Sequence, residues 1–306
     1  MVGKVRANTH VSNKNVPFFP TLSFFLVASL FLWSCSTWNA VRRSSHTALG
    51  MDNTSVAPQR FATAVFRVVY CVISVASACF WFQRTRFWPP AVGGHGSTIH
   101  CWDLKGAVGM DEDFDQANFV LKCYFWMQAS YHLHSLAFHM WTMVLWSRNH
   151  QFSLLVQGRS LLQHCMALLL ICCAHAFAST RRLGAIGSFA LDVSSLGLHL
   201  LQMALNCSYV SPFWTLWLHR VVVIPVFCYA RFYVWPFVVW RSAVVESKDW
   251  LQSMEQTLFP LVAQAMMMLF HLLTLTLLVL NVILLKRLIR HPHLQRVLRE
   301  QEGGWS

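Results

Sequence analysis

Residues 185–206 read AIGSFALDVSSLGLHLLQMALN, an apolar run with one carboxylate, Asp192, near its middle. About 20 such residues wound as a helix cross the roughly 30 Å hydrocarbon layer of a bilayer. A carboxylate at that depth costs about 2.5–3.5 kcal/mol on insertion scales. The stretch therefore predicts a membrane helix that turns Asp192 toward a polar interior, and makes that residue the first candidate for function.

The rest of the chain agrees with a membrane setting. Its 306 residues are 56% hydrophobic and only 12% charged, with mean hydropathy +0.44, which excludes an ordinary soluble domain. Seven apolar segments are long enough to span, at about 17–38, 61–82, 118–146, 161–178, 185–206, 212–240 and 257–285. The fold class is an all-α integral membrane protein with about seven transmembrane helices. The first segment follows Lys4, Arg6 and Lys14 and reads as a signal anchor rather than a cleaved signal, since no small-residue cleavage site closes it. The basic tail with Lys286, Arg287, Arg290, Arg296 and Arg299 places the C-terminus in the cytosol.

Three parts follow: an N-terminal anchor and basic linker over 1–59, a helical domain over 60–290, and a cytosolic tail over 291–306. The longest loop, Gln83 to Asn118, carries Pro89-Pro90 and the acid cluster Asp111, Glu112, Asp113 and Asp115, and reads as solvated. The net charge of +12 is scattered over successive loops rather than gathered in a stripe, so it points to anionic lipid near helix ends and not to nucleic acid. Seven of the ten cysteines fall within predicted spans without paired loop spacing, so they read as small packing residues.

Titratable side chains within the predicted spans are few: Arg67, His132, His134, His139, His164, Asp192, His199, His219, Arg220, Arg231 and His271. His132 and His134 point about 200° apart on a helix, so they cannot share a metal, and no metal site is expected. Asp192 has a structural reading as well, as the partner of Arg182, Arg220 or Arg231 across a bundle.

The order Gln163-His164-Cys165-Met166-Ala167-Leu168, then Arg182-Leu183-Gly184, then Leu191-Asp192-Val193-Ser194-Ser195, resembles the core signature of ceramide synthases in the TLC superfamily. There a His-His pair opens one helix, an Arg-Ile-Gly element opens the next, and a Leu-His-Asp-x-Ser-Asp element lies eight residues on. Arg60-Phe61 with Phe66-Arg67-Val68-Val69-Tyr70, Cys101-Trp102, and Arg231 with Pro236-Phe237 are similar to further elements of that family. The likeness covers roughly residues 60–290. It implies six helices forming a TLC-type barrel-like bundle, in a multi-pass protein of the endoplasmic reticulum membrane.

The implied activity is transfer of a fatty acyl group from acyl-coenzyme A, a co-substrate, to the amine of a sphingoid base, with no bound cofactor. His164 would serve as base or acyl acceptor, Asp192 would orient it or hold the substrate ammonium, and Gln163, Ser194, Ser195 and Arg231 would contact substrate. Membrane lipid and a homo- or hetero-oligomeric partner are the implied associations. The motif is incomplete, with Gln163, Leu191 and Ser195 standing where the synthases have His, His and Asp. Neither Gln nor Leu exchanges a proton near neutral pH. The alternative is therefore a non-catalytic TLC-domain protein for lipid sensing, cargo handling or translocon association.

Overall fold

The structure is a computed structural model and describes residues 57–102, 114–146, 154–176, 178–205, 210–250 and 260–290. The predicted first span, Asp111, Glu112 and Asp113 of the acid cluster, and the C-terminal tail lie outside the described residues. Every regular element described is helical: α1 (Ala57–Phe82), two short 3-10 turns (Pro90–Val92 and Thr98–Cys101), α2 (Phe114–Trp146), α3 (Leu154–Ala176), α4 (Ala178–Leu205), α5 (Phe213–Trp250) and α6 (Pro260–Ile289). The chain is an all-α membrane protein. Helices α1, α4, α5 and α6 are long and apolar enough to cross a bilayer.

The helices close a ring, with α1 against α2, α2 against α3, α3 against α6, α6 against α5, α5 against α4 and α4 against α1. Helix α4 also touches α2 and α3, so it leans across the interior and carries its polar residues into the centre. The α1–α4 contact is the most extensive, and small residues explain it. Ser74 and Ala78 on α1 meet a helix bearing Gly184, Ala185 and Ala190, which lets the two backbones approach. A Cβ on Gly184 would lie 2.5 Å from Ala174 Cβ and 3.0 Å from Phe125 Cζ, so this position also seats α3 and α2 against α4.

Helix α1 shows how the pattern makes the face. Phe66, Tyr70, Ser74, Ala78 and Phe82 recur every four residues and are all buried, while Val72, Ile73 and Phe80 point outward, Phe80 with 86% of its surface exposed. Outward apolar side chains are what a lipid-facing wall requires, and Leu261, Met268, Leu272 and Val279 repeat the arrangement on α6. The aromatic residues of the interior, among them Trp88, Tyr124, Phe125, Trp235 and Phe270, join one cluster that extends through all six helices.

Two regions differ from expectation. The loop after α1, expected to be solvated, is packed as far as it is described: Phe87, Trp88, Cys101 and Trp102 are buried, Trp88 completely. Their aromatic surface belongs to the core cluster, and the chain folds back tightly to place it. Gly93 adopts φ 85°, and a Cβ on Gly96 would overlap the carbonyl of Arg86. Helix α5, expected to stop near 240, runs on to Trp250 for 38 residues. It contains Pro225 and Pro236, each lacking an N–H, and is wound in wide π turns over Leu218–Val223, Tyr229–Trp240 and Ser242–Glu246 rather than broken.

Candidate functional site

Tyr124, Gln128 and His132 stand four residues apart on α2 and so share one face, which looks into the ring. Gln128 is the hub. Its Oε1 accepts from Tyr70 Oη at 2.6 Å, and its Nε2 donates to Ser74 Oγ at 2.8 Å and to Asp192 Oδ2 at 2.5 Å. Ser74 Oγ also donates to Asp192 Oδ2, at 2.5 Å. The carboxylate of Asp192 is thus caged by α1 and α2, with both bonds on Oδ2 and, among the described residues, none on Oδ1. No arginine is among its hydrogen-bond partners.

One turn further along the same face, His132 Nδ1 lies 3.0 Å from His164 Nδ1, which α3 supplies. With both rings neutral, one must donate and the other accept, so the two imidazoles are opposite tautomers. His139 stacks nearby with its ring 5.4 Å from that of His164, and Arg67 donates to His139 Nε2 at 3.3 Å. His134 points elsewhere, with its ring edge-on to Phe66. No group of three metal-ligating side chains occurs among the described residues.

The second buried charge, Arg231 on α5, is held by other helices. Nε donates to Ser194 Oγ at 2.6 Å, Nη1 to Asn281 Oδ1 at 3.0 Å, and Nη2 to Ser195 Oγ at 3.1 Å and to the Leu191 carbonyl at 3.4 Å. The guanidinium therefore ties α4, α5 and α6 together. Arg182 has a third role at the end of the bundle, where its Nη1 reaches the carbonyls of His100 and Cys101 at 3.4 Å. Beside it, Trp102 Nε1 donates to Ser242 Oγ, which in turn donates to Glu246, and the Trp102 ring packs on Trp250. This fastens the loop over one end of the ring. Burial there pushes the Cys101 thiol well above the ordinary range, despite the opposing pull of Arg182.

A crevice at the centre is lined by Gln128, His132, Gly187, Leu191, Asp192 and Trp235, among others. Its volume of ≈ 30 Å³ admits a water or two but no acyl chain. Of the six residues nominated from sequence, Asp192 lines this crevice and His164 touches it through His132. Ser194, Ser195 and Arg231 form a neighbouring cradle further along α4, and Gln163 sits half-buried beside His164 without lining the crevice. Sequence reasoning passed over Ser74, Tyr70, Tyr124, Gln128 and Asn281, which are uncharged. The four-residue steps Tyr70-Ser74 and Tyr124-Gln128-His132 were the signal that would have found most of them.

A chemical capacity follows from the geometry. The His132–His164 pair can take up or pass a proton, and the unused Oδ1 of Asp192 can accept from an ammonium or imidazolium in the crevice. Comparison with known proteins adds that the family model described as TLC domain matches residues 60–290. No curated protein matches the chain.

Proposed function

We propose, for a chain that belongs to the TLC-domain family, that the central crevice is an acyl-transfer site of ceramide synthase type, in a multi-pass protein of the endoplasmic reticulum membrane. The observation that carries this reading is the imidazole pair of His132 and His164 at 3.0 Å. The family resemblance asks for two histidines at 163 and 164, and Gln163 removes one. His132 supplies a second imidazole from another helix.

In this reading the sphingoid amine enters as an ammonium and is held by Asp192. His164 takes its proton, with His132 accepting or sharing the charge. The free amine then attacks the thioester carbonyl of acyl-coenzyme A, the C–N bond forms and the C–S bond breaks. The ammonium nitrogen loses two protons on becoming the amide: the imidazole returns one to the departing thiolate of coenzyme A, and the other is released through the imidazole pair to water. Because the closed crevice has room only for water, the chains of both substrates must enter by parting helices of the ring, and α5 and α6 are the walls in contact with each other on that side.

The second reading, a TLC-domain protein without chemistry, is favoured by Leu191 and Ser195 in place of the motif's His and Asp. One experiment separates them. The full chain is expressed in membranes lacking sphingosine N-acyltransferase activity and supplied with acyl-coenzyme A of several chain lengths and a sphingoid base. Transfer is expected, and His164→Ala or His132→Ala should lower it by about 10²–10⁴-fold without loss of protein. Well-expressed wild type with no product at any chain length would leave the non-catalytic reading standing.

A further inference from the structure

The outer side of the Arg231 cradle holds a second crevice, between α5 and α6, lined by Arg231, Trp235, Pro236, Trp240, Thr274 and Asn281. Leu275 also lines it and is 48% exposed, so the crevice reaches the outer wall of the bundle between the two helices. Its volume of ≈ 20 Å³ suits a single oxygen-sized group.

Some of the polar atoms around it have no partner among the described residues. Among the described residues, Trp240 Nε1 and Thr274 Oγ1 are buried without a hydrogen-bond partner, and Thr274 is only 6% exposed. Arg231 uses four of its five N–H groups on Ser194, Asn281, Ser195 and Leu191, which leaves one on Nη1. Thr274 is the most telling of these. Thr276 on the same helix satisfies its hydroxyl by bonding back to the Leu272 carbonyl at 2.9 Å, the usual recourse of a helical threonine, and Thr274 does not. Indole and guanidinium groups only donate, so the set calls for an acceptor. Thr274 and Asn281 both lie inside the span Met267–Ile289, at a depth where the bilayer offers no water to unsatisfied groups.

We infer that the α5–α6 crevice is a lateral binding site for the carbonyl oxygen of an acyl lipid, taken directly from the membrane. The donors at its floor hold the oxygen, and the acyl chain lies along the exposed apolar surface of α5 and α6. This does not rest on acyl transfer, because an inert protein would present the same donors.

The test uses the full chain in phosphatidylcholine nanodiscs. They carry a trace of either an N-acyl sphingosine or a diacyl phosphatidylcholine, each with a photoactivatable diazirine near the acyl carbonyl. After irradiation, labelled peptides are mapped by mass spectrometry. Labelling is expected on α5 and α6 around Trp240 and Thr274, and Thr274→Val or Trp240→Phe should each lower it about fivefold, the worth of one hydrogen bond. Thr276→Val, which removes a hydroxyl already bonded within the helix, should leave it unchanged. Labelling by the amide lipid alone, or by both lipids, supports the site and identifies its preference. Absence of label from α5 and α6 with both lipids overturns it, as does labelling that Thr274→Val leaves intact in folded protein, and water is then the occupant.

Discussion

Asp192 and Arg231 are both buried charges at the middle of the bundle, 6% and 2% exposed, and the protein treats them differently. Asp192 receives its two hydrogen bonds on a single oxygen, from α1 and α2, and keeps the other oxygen for the crevice. Arg231 is bonded through Nε, Nη1 and Nη2 to α4 and α6, and so acts first as a fastening. Charge alone does not distinguish a chemical group from a structural one in a membrane core. The distinction lies in the hydrogen-bonding capacity left over after the neighbours have been satisfied.

The comparison can be broken in three ways. Arg231→Ala should have the largest effect, a loss of about 3–5 kcal/mol, because it strands Ser194, Ser195 and Asn281 and removes the positive charge that balances Asp192 inside the ring. Thermal unfolding of the detergent-solubilised protein measures it, and Arg231→Lys should fall between, keeping the charge but not the planar fork. Gln128→Leu keeps the shape of the aspartate cage and removes its hub, and should cost about 1–3 kcal/mol, because Tyr70 loses its acceptor and Asp192 keeps only the bond from Ser74. A loss as large as that of Arg231→Ala would show that the cage is a fastening too.

The smallest effect concerns Cys101, whose carbonyl anchors the third buried charge, Arg182. Its thiol is raised above the ordinary 9.0, so the folded protein holds the proton where the unfolded chain releases it. Stability from this group is full below pH 9.0 and declines as the pH rises beyond that value. Iodoacetamide, which reacts with thiolate, should therefore modify Cys101 at pH 8 only after denaturation. Rapid reaction in the folded protein would mean that the loop lifts and Arg182 loses its acceptors.

The positions of the helices were legible because apolar length is a local property. Each expected segment from 61–82 to 257–285 overlaps one of the six described helices. The packing of the loop after α1 was not, since Phe87, Trp88 and Trp102 are isolated aromatics whose burial depends on what lies opposite. The extension of α5 was hidden for a similar reason. Arg241, Glu246 and Asp249 look like the end of a span, yet Glu246 accepts from Ser242 one turn back, and Ser242 in turn accepts from the loop. At the site, the angular argument separated His132 from His134 correctly. It could not supply the partner of His132, because that partner comes from α3, and no spacing within α2 encodes it.

The inward polarity of α2 and α3 also bears on how the chain enters a membrane. Over its described residues α2 falls short of the mean hydropathy of α1, α4, α5 and α6, because Gln128, His132, His134 and His139 interrupt it, and α3 carries Gln163 and His164. A helix of that kind partitions poorly alone and does better when its polar face is covered on arrival. The contact of His132 with His164 joins these two neighbours, so the same pair of imidazoles that reaches the crevice through His132 would let α2 and α3 settle into lipid together during biosynthesis.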